Sequence, residues 1–129
     1  MRKEFIIIGG IIAFIIGMHA WSQWYVNIFF DGVIQDMDSI EKKILSNQFE
    51  EGELEKNIDL AMKKWKSRYD FYACFLEHDE LEKVDNQLVC IKANIVVGDF
   101  DKGVEEIERC KFFLRHIEDK DSMRVVNIF

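Results

Sequence analysis

The fold class written in this chain is all-α: an N-terminal transmembrane helix continuing into an up-down antiparallel bundle of three to four helices. Three observations predict it. The 129 residues contain no proline, the residue that most often breaks a helix. Apolar residues recur at spacings of three and four almost throughout. Residues 5–21 read FIIIGGIIAFIIGMHAW, with no charge and a single His19. A composition of 49% hydrophobic and 32% charged residues, with 11 Phe, excludes disorder and predicts a packed interior.

The anchor comes first. As a helix, residues 5–21 would rise about 26 Å, slightly short of a hydrocarbon core of about 30 Å. Trp21, Trp24 and Tyr25 follow where interfacial aromatics belong. Arg2 and Lys3 precede the segment, and no Lys or Arg follows until Lys42. The positive-inside rule therefore leaves residues 1–4 in the cytoplasm and exports the remainder. A cleaved signal peptide is the competing reading. Met18-His19-Ala20 offers a small residue at the cut, but Met fits the A-x-A pattern poorly, so retention is expected. Gly9, Ala13 and Gly17 fall four apart and line one face, a spacing that lets another transmembrane helix approach closely.

Beyond the anchor, residues 22–122 predict one bundle domain. Val26, Phe29, Phe30, Val33, Met37, Ile40, Ile44 and Leu45 continue the first helix to about residue 49. A break at Asp31-Gly32 would instead leave a three-helix core. Glu51-Gly52 supplies a turn. Leu54, Ile58, Ala61, Met62, Trp65, Tyr69, Tyr72 and Leu76 form the face of a second helix. Asp79 with Glu82 resembles a capping box opening a third, whose stripe is Leu81, Val84, Leu88, Ile91 and Ile95. Gly98-Asp99 separates it from a fourth carrying Phe100, Val104, Ile107, Leu114 and Ile117. Short connections make consecutive helices antiparallel neighbours. Residues 123–129 form a mostly apolar tail, with Val125, Val126, Ile128 and Phe129 as a docking element.

From Ser22 onward, 15 Lys and Arg face 23 Asp and Glu. So acidic a domain repels phosphate backbones, which excludes nucleic acid as a partner. No phosphate loop, nucleophile elbow or HExxH is present, so neither an enzyme nor a cofactor is expected. Hairpin registration gathers His78, Asp79, Glu82 and His116 at the membrane-near end, a set competent to hold zinc; isolated caps and exposed partners are the plainer account. Cys74 and His78 fall four apart, as a thiol-imidazole dyad would require, though no third group orients them. Cys74, Cys90 and Cys110 read as small buried hydrophobes; of their pairings only Cys90 with Cys110 is conceivable, and a Cα separation above about 7 Å would forbid it. Trp65, Tyr69 and Tyr72 read as core, with a ligand slot as the sharper alternative.

At Trp65, at Phe75-Leu76-Glu77-His78-Asp79-Glu80-Leu81-Glu82 and at Asn127-Ile128-Phe129, the chain resembles a bacterial membrane-anchored family, domain of unknown function 4363. The resemblance implies a bacterial membrane protein and supplies no catalytic residues. Two functions remain in view. One is an accessory subunit at the cell membrane that binds an integral membrane partner or a second copy of itself. The other is a four-helix ligand sensor working through a partner.

Overall fold

The computed structural model describes residues 2–74 and 76–128, with side-chain surroundings through residue 120. Four helices follow one another: α1 (Arg2–Ser46), α2 (Glu53–Ala73), α3 (His78–Val97) and α4 (Phe100–Ile128). Each packs on its neighbour in the order α1, α2, α3, α4 and back to α1, and the diagonal pairs do not meet among the described residues. This is the up-down four-helix arrangement expected. The three-helix alternative is excluded, because α1 runs unbroken through Asp31 and Gly32.

One helix does two jobs. The first half of α1 projects beyond the bundle, and the core begins at Ser22 and Val26 and continues through Phe30, Val33, Met37 and Ile40. The stripe foreseen for α3 is buried at all five positions, Leu81, Val84, Leu88, Ile91 and Ile95. From α2 come Leu54, Ile58, Ala61, Trp65 and Tyr72, and from α4 Ile107, Cys110, Leu114 and Ile117. Leu45 corrects the α1 stripe, being 70% exposed one residue before the helix ends.

The connections differ in detail from the sequence reading. Asn47, at φ 53, terminates α1, donating its N–H to Ile44 while Gln48 donates to Lys43. This is the hydrogen-bond pattern of a left-handed helix stop. Gly52, at φ 79, stands instead at the entry to α2. Gly98, also at φ 79, ends α3 in the same way that Asn47 ends α1. The expected capping box at Asp79 and Glu82 does not form, because α3 starts earlier and Glu77 takes the cap position without a side-chain bond. Asp79 and Glu80 still lie in the first turn, where acids favour the helix dipole.

Candidate functional site

The end of the bundle next to the projecting half of α1 gathers most of the aromatic residues. Phe30, Trp65 and Tyr72 form a closed triangle with ring centroids 5.1–5.6 Å apart. Phe29 packs on Tyr72 from outside, at 5.4 Å. The Trp65 Nε1 donates to Asp85 Oδ1 at 2.6 Å, tying α2 to α3. Tyr72 is fully buried, and its hydroxyl has no hydrogen-bond partner among the described residues. Burial, with Tyr25 adding and Arg68 opposing, raises its pKa and keeps it protonated. Trp65 and Tyr72 are fully buried in the triangle as core residues, and Tyr69 lies half-buried against His78.

Outside the triangle, Tyr25 stacks on Trp21 at 5.8 Å and meets the edge of Phe71 at 5.3 Å. Trp21 and Trp24 are 55% and 61% exposed. The face of Gly9, Ala13 and Gly17 is open, and a Cβ added at Gly9 or Gly17 would meet nothing within 4 Å. Within the described part, α4 continues as helix through Ile128. The side chains of Val125, Val126 and Ile128, and Phe129 altogether, lie outside the described residues.

The four candidate metal-ligating residues, the less favoured reading of that end, do not come together. His78, Asp79, Glu82 and His116 are all exposed, and no group of three His, Cys, Asp or Glu is placed to hold a metal among the described residues. The helix phases explain why. Leu81 and Val84 take the inward positions of α3 and turn Glu82 outward; Leu114 and Ile117 do the same to His116. His78 rests against Tyr69 at 6.0 Å, and His116 stacks on Phe112 at 6.2 Å. The registration behind the quartet nevertheless holds, for Lys120 pairs with Glu77 and Glu80 across α3 and α4.

The cysteines also differ from expectation. All three are free, and only Cys110 is buried, which pushes its thiol up to about 12. Cys74 and Cys90 are exposed. The Cys74 thiol lies 3.5 Å from the Asp70 carbonyl of its own helix, while His78 lies on Tyr69, so the dyad does not form.

Sequence reasoning missed the α1–α4 seam. Lys111 is buried, its side chain 7% exposed, and its Nζ meets Asp38 at 2.6 Å, Glu41 at 2.7 Å and Glu108 at 2.8 Å. Burial opposes its charge, but hydrogen bonds to Asp38, Glu108 and Glu41 outweigh it and raise the pKa of the ammonium. Burial raises Glu41 above the ordinary carboxyl range against Lys111, and its hydrogen bond with Glu108 adds to this. Glu108 is lowered by Lys111 and Glu41.

Seven residues nearer the N-terminus of α1, Asp31 faces Glu118 of α4. Burial first, then Asp31 and Asp119, raise the Glu118 carboxyl from 4.5 to about 7 against Arg115. A carboxyl raised in the fold contributes stability that is complete below 4.5 and is lost as pH rises through about 7. Glu118→Gln is therefore expected to stabilise the bundle at about pH 8 by about 1 kcal/mol, a value discounted for the solvent that reaches this half-buried group. The gain should vanish near about pH 4. Urea unfolding of both proteins at the two pH values measures it.

Residues 20–128 match the family described as Domain of unknown function (DUF4363). The chain belongs to this family. The DUF4363 match begins at Ala20, just before the first core residue, and takes in the aromatic triangle, the Lys111 seam and all of α2, α3 and α4. The hydrophobic stretch before Ala20 lies outside the matched residues. No curated protein and no solved structure matches the chain.

Proposed function

We propose that this protein is a membrane-anchored accessory subunit without catalytic activity, its bundle on the outer face of a bacterial cell membrane and bound to an integral membrane partner. The observation that carries the reading is the divided character of α1. Its apolar window, long enough to cross a membrane, is 6% buried within the protein, whereas the next turns supply the core. A soluble core helix would bury that window. Large exposed Ile and Phe side chains on every face need lipid or protein around them.

Arg2 and Lys3 before the anchor, and the lack of any further base until Lys42, favour a cytoplasmic N-terminus. Glu118 and Lys111 face Asp31 and Asp38 in an antiparallel register of seven residues per step. One further step carries the α4 backbone at residue 125 to the level of Trp24, near the interfacial aromatics. The apolar tail at 125–129 and the open face of Gly9, Ala13 and Gly17 are then the two surfaces offered to a partner in the bilayer, whether another protein or a second copy.

The test is crosslinking in native membranes, with the attached protein identified by mass spectrometry. Gly9→Leu, Ala13→Leu and Gly17→Leu together, or deletion of residues 125–129, should lower the yield of one membrane protein about tenfold without dispersing the chain into the soluble fraction. An unchanged yield from both variants would remove the proposal. N-terminal sequencing of the membrane-bound protein decides between retention and cleavage after Ala20.

A further inference from the structure

The Arg68 guanidinium lies 5.4 Å from the centre of the Tyr25 ring. Tyr25 is in turn stacked on Trp21 and braced by Phe71, so α1 and α2 together fix the place where this charge sits. A cation over an aromatic face is attracted by the ring quadrupole, which leaves the outer edge of the guanidinium free to donate. Among the described residues Arg68 has no carboxylate partner, although 23 acids surround 15 bases from Ser22 onward. Lys43, Lys64, Lys92 and Lys111 are all paired.

Its height is informative. Tyr25 stands four residues beyond Trp21, about 6 Å along the helix axis. The headgroup layer outside the hydrocarbon core is about 5–7 Å thick on each side. With the apolar segment 5–21 in the bilayer, Arg68 lies at the level of the lipid phosphates. A guanidinium at that level with no carboxylate partner among the described residues, in a domain whose net charge repels anions, selects a phosphate group. Its forked donors match two phosphate oxygens at once.

We propose that Arg68, held on the Tyr25–Trp21 stack, binds the phosphate of a phospholipid headgroup in the leaflet facing the bundle, seating the α2 side of the domain on the membrane. This rests on the membrane anchor proposed above. A bound headgroup would set the height and rotation of the bundle about α1, which the anchor alone leaves open.

The test uses the full chain purified in mild detergent, with native mass spectrometry after addition of dioleoyl phosphatidylglycerol or dioleoyl phosphatidylcholine. The wild type should retain one phospholipid molecule, and Arg68→Gln should reduce retention about tenfold, as loss of a charge-assisted pair implies. Arg68 is exposed, so the variant should keep its helical content and its place in the membrane fraction. Glycerophosphate and inorganic phosphate should not displace the lipid. Equal retention by Arg68→Gln, or displacement by inorganic phosphate, overturns the assignment while leaving the anchor standing. A wild type that fails to enter the membrane fraction overturns both.

Discussion

Replacing Lys111 with methionine is expected to destabilise the bundle by about 1–3 kcal/mol, the cost of leaving the largely buried Glu41 carboxylate without its partner while water still reaches Asp38 and Glu108. Methionine keeps most of the stem volume, so the effect belongs to the charge. Asp38, Glu41 and Glu108 converge within 2.8 Å of the lysine Nζ, and without it they face one another across the α1–α4 seam. The carboxylates then relieve their repulsion by taking up protons. The loss should accordingly be larger at about pH 8 than at about pH 5, where protons are supplied more cheaply. Urea unfolding at both values tests the magnitude and its sign with pH. A second variant adding Glu41→Gln to Lys111→Met should recover part of the loss at high pH, since it removes one of the opposed acids. A loss independent of pH would mean that the cluster acts only as packing.

Trp65→Ala should cost about 3–5 kcal/mol, the range for removing a fully buried large aromatic. Trp65 has no exposed surface and touches both Phe30 and Tyr72. A cavity there would open at the meeting of α1 and α2, and the bond to Asp85 on α3 would go with it. Trp65→Phe separates these contributions. It retains most of the apolar contact but loses the indole N–H, leaving a half-exposed Asp85 that water can satisfy, and should cost about 1–2 kcal/mol. Denaturant melts followed by circular dichroism give both numbers. If alanine and phenylalanine cost the same, the hydrogen bond rather than the packing governs the site.

The bundle was legible because its helices obey one simple constraint, the burial of a stripe at spacings of three and four. In α3 that rule finds every buried position from Leu81 to Ile95. Registration about the short connections was sound as well, as the Lys120 pairs with Glu77 and Glu80 show. Side-chain direction at helix ends is a finer matter, set by the phase of a few core residues. It turns Glu82 and His116 outward, so the candidate set of His78, Asp79, Glu82 and His116 does not converge. Lys111 escaped for the opposite reason. Read locally, it is a surface lysine three residues after Glu108, while its decisive partners Asp38 and Glu41 lie on a helix some 70 residues away. A signal was present nonetheless: Lys111 stands four after Ile107 and three before Leu114, a position inside the apolar stripe. Lysine at such a place demands carboxylates from a neighbouring helix, and α1 supplies two acids three residues apart. Arg68 was hidden in another way, since nothing in the spacing of α2 says that its neighbour across the interface is Tyr25.

The unbroken course of α1 has a bearing on how the protein is made. Starting a helix in water is unfavourable because the first turn fixes many dihedral angles for a single hydrogen bond. Inside lipid the same segment has no alternative to helix, since unpaired backbone groups find no water there. On the membrane anchoring proposed above, α1 would leave the bilayer already nucleated, and the turns carrying Val26, Phe30, Val33 and Met37 would need only to extend it. The rest of the chain would then dock on a template already helical before α2 is synthesised. Cutting the chain between Trp21 and Val26 would remove few core contacts, yet it should slow folding far more than it weakens the finished bundle.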